Sequence, residues 1–317
     1  MPDKVLVYSR FPKAQMVRFA ERFELMDAAG KRLTDVFTAE QLSGVRAVLT
    51  AGGTPFSADT MDLMPDLATI VCYGTGYDGV DLAGAARRGI AVGHSPGANA
   101  ASVADIAVTL MLASTRRLLV IDRYVRDGSW SGAKPSPMMR PQAGMLGRKI
   151  GVYGMGEIGR KIAARVAAFE TEVGYHSRSQ HDVPYRYFPT LEALAEWCSV
   201  LMIAVRAGPD TERVVDANIL KKLGKDGHVV NIARGSVIDE PALIAALTDG
   251  TIAGAGLDVF AREPHAPDAL TALPNVVLSP HLGGHTLESH VAMQDCVIAN
   301  LEAFFAGKPL PYQVRES

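Results

Sequence analysis

A chain of 317 residues is long enough for two domains of ordinary size. Its 48% apolar and 21% charged content describes a globular protein, and a formal net charge of −2 leaves no global basic field of the kind nucleic-acid binding uses. The three cysteines, Cys72, Cys198 and Cys296, stand far apart and lack Cys-x-x-Cys spacing. They are expected as core thiols of a reducing compartment rather than as a disulfide frame or a metal site.

The N-terminus reads as a strand from its first residues. No long apolar span follows, so neither a signal peptide nor a membrane helix is expected, and the cytoplasm is the default compartment. Residues 5–8, 47–50, 70–73 and 90–93 read as strands, with helical patterns such as 14–23 and 82–88 between them. A long helical pattern then runs over 99–127, carrying Val103, Ile106, Leu110, Ala113, Leu118 and Ile121. A loop rich in Gly, Ser and Pro covers 128–147. A second alternating series follows, with strands expected at 150–153, 172–175, 200–205, 229–232, 254–259 and 276–278. A last helical pattern spans 286–305, with Thr286 as a plausible N-cap. Alternation of this kind predicts parallel, doubly wound sheets. The expected fold is α/β. A Rossmann dinucleotide-binding domain over 99–286 is inserted into a second, flavodoxin-like parallel domain made of 1–98 and 287–317.

The second series opens on Gly154-x-Gly156-x-x-Gly159, between the strand at 150–153 and a helix over 158–169. Gly154 permits a tight turn, Gly156 lets backbone approach a pyrophosphate, and Gly159 lets helix pack closely on strand. The helix start offers free N–H groups and partial positive charge to the phosphates. Met155, Glu157 and Ile158 share this turn and are expected beside the cofactor. Gly-x-Gly-x-x-Gly alone also occurs as a plain turn; the flanking strand and helix make it a dinucleotide signal.

An acidic residue about 20 positions beyond the glycines reads the ribose of NAD, whereas an Arg accommodates the extra phosphate of NADP. Here the second strand ends in Ser177-Arg178-Ser179, with no Asp or Glu at the tip. Arg178 is a planar bidentate donor and the serines add hydroxyls. NADP(H) is therefore the preferred cofactor, with NAD(H) also possible; the bland reading is a solvated loop Arg.

Three later segments carry chemistry at expected strand ends, where ligands bind in such sheets. Ile232-Ala233-Arg234 presents a cation, with Ile232 and Ala233 beside the cofactor. Asp258 stands at the end of the strand at 254–259, and Glu263 follows shortly after. His281 follows the strand at 276–278 and precedes Gly283 and Gly284. A cation, a carboxylate and an imidazole suit carbonyl reduction. An Arg binds a substrate carboxylate and polarises the keto oxygen. A His donates the proton to the forming alkoxide, and a neighbouring carboxylate holds the ring and favours its protonated form. Each residue alone has a structural reading, and His94, His265, His285 and His290 are competitors for the acid, His285 foremost.

Together these motifs resemble the D-isomer-specific 2-hydroxyacid dehydrogenases over essentially the whole chain. The resemblance rests on Gly154-Met-Gly-Glu-Ile-Gly159, Asn231-Ile-Ala-Arg-Gly235, Gly256-Leu-Asp-Val259 with Glu263-Pro264, and Ser279-Pro-His-Leu-Gly-Gly284. It implies an Arg–Glu–His catalytic set on Arg234, Glu263 and His281. It also implies a homodimer built through the nucleotide domain, with the helix at 99–127 as dimerisation element. Residues 72–78 resemble the family's substrate loop, whose N–H groups near Gly74, Thr75 and Gly76 would hold a substrate carboxylate; Gly52 and Gly53 would line the same cleft. The Ser177-Arg178-Ser179 tip and the stretch 124–130 look most like the NADPH-dependent glyoxylate/hydroxypyruvate reductases. One departure concerns the stretch after the fourth strand of the nucleotide domain. It is Pro-rich in the family and here reads Val205-Arg206-Ala-Gly-Pro-Asp-Thr211. Val205, Arg206 and Thr211 are nonetheless expected at the cofactor. The implied activity is reduction of small 2-oxo acids to D-2-hydroxy acids, with no metal and no nucleic-acid or membrane partner. The alternatives are a phosphoglycerate dehydrogenase-like NAD enzyme and a non-catalytic, NAD(P)-sensing corepressor-like protein.

Overall fold

The structure, a computed structural model, describes residues 3–131, 141 and 143–315. Half of the loop expected at 128–147, residues 132–140 and 142, therefore lies outside the described residues. The chain divides into two compact units, Met1–Asn99 with His285–Ser317, and Ala100–Gly284.

In the first unit, five strands form one parallel sheet: β1 (Lys4–Val7), β2 (Glu24–Asp27), β3 (Ala47–Ala51), β4 (Thr69–Tyr73) and β5 (Ala91–Gly93). Their order is β2-β1-β3-β4-β5, the flavodoxin-like arrangement. Strand side chains alternate between faces, so β1, β3 and β4 feed two cores. Leu6, Val48 and Ile70 join Phe56 and Met61 on one face. Val5, Leu49 and Val71 join Val297, Ile298 and Leu301 of the last helix, Leu287–Phe305, on the other. Each such aliphatic side chain contributes ~1.5–3 kcal/mol through burial. Thr286 caps the last helix by accepting the Ser289 N–H. The edge strand β2 has no signal in the sequence, because none of its four residues is buried.

The second unit holds seven parallel strands: β6 (Lys149–Tyr153), β7 (Glu172–His176), β8 (Arg186–Tyr187), β9 (Val200–Ile203), β10 (His228–Asn231), β11 (Gly254–Leu257) and β12 (Val276–Leu278). The order is β12-β11-β10-β9-β6-β7-β8. β6 pairs with β7 on one side and β9 on the other, so the order in which successive strands are added reverses beside it. That is the Rossmann switch point, where ligands of doubly wound sheets bind. β9, β10 and β11 are buried throughout, as expected of strands covered on both faces.

The helical pattern at 99–127 is two helices, Ala100–Thr115 and Leu118–Arg126. Arg117 breaks it with φ 51° and ψ 39°, a left-handed conformation that no helix carries through. The apolar period survives the break, which hid it. The first helix buries Val103, Ala107, Leu110 and Met111, whereas the second buries no residue at all.

Cys72 and Cys198 are buried, and burial pushes both thiols up to about 12; Cys296, half-buried, is raised for the same reason. Such thiols are unreactive at neutral pH. Among the described residues no cluster of His, Cys, Asp or Glu is placed to hold a metal, and no helix is long and apolar enough to cross a membrane.

Candidate active site

The glycine turn follows β6. Gly154 has φ +100°, and a side chain there would press on Ala204 O, 2.7 Å from its Cβ. A Cβ on Gly159 would overlap the Gly154 carbonyl, which explains why helix and strand approach so closely. Gly156 differs: a Cβ there would meet nothing within 4 Å. It starts the helix Glu157–Ala167 and offers no side-chain cap. The first N–H groups of an eleven-residue helix are thus left to open space, a cradle that fits a pyrophosphate. Glu157 is exposed and Ile158 half-buried. The Met155 side chain is 1% exposed and belongs to the core, so only its backbone is available to a ligand.

β7 ends at His176, and Ser177, Arg178 and Ser179 form the tip beyond it. Ser177 Oγ donates to Ser179 O (2.6 Å), which tightens the turn. Arg178 is exposed. Val205, half-buried, and Arg206, exposed, follow β9. Thr211, expected at the cofactor, also closes its own loop. Its hydroxyl accepts the Gly208 N–H (2.9 Å) and donates to Arg206 O (3.0 Å), closing the loop between them.

Arg234 follows β10. Asn231, 1% exposed, accepts the Ala233 N–H (3.0 Å) and donates to Arg234 O (2.9 Å), so one buried amide fixes the turn. Nothing in the sequence period singles out that role. Ile232 and Ala233 are themselves buried. The Arg234 guanidinium donates to Ala233 O at 2.7 Å.

Asp258 follows β11 and is 2% exposed. It is expected among the cofactor contacts, but its carboxylate is turned to the protein. Its oxygens accept the Leu282 N–H (3.0 Å) and the Gly283 N–H (2.9 Å), and its carbonyl accepts the His281 N–H (2.8 Å). Three bonds thus hold the backbone on which His281 takes φ +56°, a conformation unusual for any residue but Gly. Gly284, next along, is half-buried.

His281 Nδ1 lies 2.6 Å from Glu263 Oε2, while Glu263 Oε1 accepts the Phe260 N–H at 3.2 Å. Burial alone would raise the Glu263 carboxyl. The hydrogen bond and charge of His281, the Phe260 N–H and the Arg234 charge outweigh it and hold the group below the usual carboxylate range. Glu263 is therefore ionised at neutral pH. The three residues proposed from separate sequence segments share one electrostatic neighbourhood at the carboxyl ends of β10, β11 and β12.

In the first unit, Gly52 and Gly53 follow β3, and Gly74, Thr75 and Gly76 follow β4. Gly52 packs directly on the Gly76 carbonyl, and the Gly79 N–H donates to Gly52 O (2.8 Å), locking the two loops together. Gly53 faces open space, and Gly74 has φ +107°. The Thr75 hydroxyl donates to Asn99 Oδ1 (2.8 Å). Among the described residues the backbone N–H groups of Thr75 and Gly76 have no partner, which suits an anion. His285, the competing acid, is engaged by His290 Nε2 at 2.7 Å, and His290 Nδ1 in turn by Tyr73 OH at 2.7 Å. His94 Nδ1 meets Thr75 O at 2.9 Å.

Residues 108–283 match the family model for the D-isomer specific 2-hydroxyacid dehydrogenase, NAD binding domain. The chain is 42% identical to the 2-ketogluconate reductase of Gluconobacter oxydans, over 84% of this chain and 85% of that one. It is 38% identical to glyoxylate/hydroxypyruvate reductase A of Arabidopsis thaliana, over 92% of each. Among solved structures, the NADPH-dependent glyoxylate/hydroxypyruvate reductase of Sinorhizobium meliloti, in complex with NADP and malonate, superposes with a TM-score of 0.90. The two share 34% identity, and the match covers 100% of both chains.

Proposed function

Because the chain belongs to the D-isomer-specific 2-hydroxyacid dehydrogenase family, we propose that it reduces small 2-oxo acids to D-2-hydroxy acids with NADPH. The observation that carries this reading is the 2.6 Å contact between His281 and an ionised Glu263, with Arg234 adding its charge to the same carboxylate. Relatives named glyoxylate/hydroxypyruvate reductase, and a neighbour solved with NADP, support the substrate class and the cofactor.

Gly154, Gly156, Glu157, Ile158 and the Met155 backbone hold the pyrophosphate at the helix start, and Ser177, Arg178 and Ser179 take the adenosine phosphate. Ile232, Ala233, Val205, Arg206 and the Gly283–Gly284 backbone line the remainder. The bound nicotinamide supplies the hydride. Arg234 anchors the substrate carboxylate and polarises its keto oxygen. Glu263 takes the Nδ1 proton of His281 in a hydrogen bond and so orients the ring; Nε2 gives up the proton that the alkoxide needs. Residues 1–98 with 287–317 serve as the substrate-binding domain, where Gly52, Gly53, Gly74, Thr75 and Gly76 present backbone donors to the carboxylate. Residues 99–286 serve as the nucleotide domain. The exposed second helix, Leu118–Arg126, together with Ala100–Thr115, fits a homodimer contact in the cytoplasm.

The test is NADPH oxidation, followed by absorbance, with glyoxylate, hydroxypyruvate, phenylpyruvate, 2-ketogluconate and 3-phosphohydroxypyruvate. Turnover of glyoxylate and hydroxypyruvate with NADPH is expected. Turnover of 3-phosphohydroxypyruvate with NADH alone would favour the phosphoglycerate dehydrogenase reading. Binding of NADPH without turnover of any acid would replace the enzyme by a sensor.

A further inference from the structure

The helix Glu157–Ala167 and the loop after β7 meet at two side chains that the proposed reaction leaves unused. Arg160 places Nη2 3.2 Å from His181 Nδ1. A guanidinium only donates, so Nδ1 accepts and the ring carries its proton on Nε2. The backbone of His181 is held from both sides by the buried Tyr175. Its hydroxyl accepts the His181 N–H (2.8 Å) and donates to the His181 carbonyl (3.1 Å). Arg178 stands three residues earlier in the same loop. Among the described residues neither arginine has an ion-pair partner, and Asp182, exposed beside His181, pairs with neither. One guanidinium and an imidazole donor thus meet on the loop that also carries the exposed Arg178. A guanidinium with no ion pair to offset it favours an incoming anion.

We propose that Arg160 and His181 form the second wall of a phosphate site whose first wall is Arg178, and that the group bound there is the 2′-phosphate of NADPH. The inference rests on the NADPH reading above and adds the residues that set its selectivity. Arg160 contributes its remaining N–H donors and His181 its Nε2–H. The site is built on a helix and on a loop pinned by Tyr175, so it needs little ordering when the ligand arrives.

Adenosine 2′,5′-diphosphate and 5′-AMP differ only in this phosphate, and calorimetric titration of the full chain with each isolates its contribution. Arg160→Gln and His181→Ala are each expected to raise the Kd for adenosine 2′,5′-diphosphate about tenfold, as loss of a charge-assisted bond requires, with less than about twofold change for 5′-AMP. Equal weakening of both ligands would mean that the pair only holds the loop, and no change in either would remove it from the site; both outcomes overturn the inference. Wild-type protein that binds the two ligands equally well would instead overturn the NADPH reading itself. If the wild type prefers the diphosphate and Arg178→Gln alone abolishes the preference, only the inference fails.

Discussion

Two histidines stand at opposite ends of the same sheet and live in opposite chemistry. His228 opens β10 at the amino end; it is 8% exposed, and its Nδ1 lies 2.9 Å from Ser114 Oγ. Burial drives its pKa down to about 4, the Arg148 charge acts in the same direction, and Asp226 opposes them. His281 follows β12 at the carboxyl end, half open to water, against the ionised Glu263. One imidazole is kept neutral by its surroundings and the other is set beside a negative charge. The residue type is the same, so the position on the sheet decides. At the amino end Ser114 of the helix Ala100–Thr115 covers the ring, while the carboxyl ends carry the loops that leave room for a ligand.

The largest expected effect removes the proposed acid at the open end. His281→Gln keeps a polar side chain but cannot deliver the proton, and kcat should fall by about 10²–10⁴. The Kd for NADPH should hardly move, because the pyrophosphate cradle lies on other residues. Steady-state kinetics with calorimetry reads both, and wild-type kcat in this variant would break the contrast.

The closed end gives the next effect, on stability. The folded state refuses a proton at His228 that the unfolded chain accepts. Stability therefore falls as pH drops from the ordinary value of 6.5 towards about 4, by up to about 3 kcal/mol. Above that window the contribution is absent. His228→Gln should flatten this part of the acid slope in urea titrations at pH 7 and pH 4.5; an unchanged slope would show that the buried ring is not the proton acceptor.

Asp258 sharpens the comparison from the open side. Asp258→Asn puts an amide donor against one of the two N–H groups of Leu282 and Gly283. It should cost about 2 kcal/mol in thermal or urea unfolding. kcat should fall about tenfold as the His281 loop loosens, a modest loss typical of positioning rather than proton transfer. Lost stability with unchanged kcat would make Asp258 purely structural.

Much of this was legible in the chain itself. The apolar runs that became β3, β9 and β10 stood out because strands buried on both faces read as continuous apolar stretches. β2 and β8 did not, one having no buried residue and the other only two residues in length. The break at Arg117 was invisible because the apolar period runs through it. Thr211 and Asp258 looked like ligand contacts because polar residues at strand ends often are. Their hydrogen bonds turn inward, to Arg206 and Gly208 in one case and to the His281 loop in the other.

The sequence by itself determined the dinucleotide turn and the family, and it singled out Arg234, Glu263 and His281 as candidates, since these depend on local spacing and on motif order. Only the tertiary structure decided that Glu263 reaches a ring 18 residues away, that Asp258 holds that ring's backbone, and that His228 stays neutral. Hydrogen bonds and proton affinities are set by distance and burial in space, and strand crossovers bring together residues that no local pattern links.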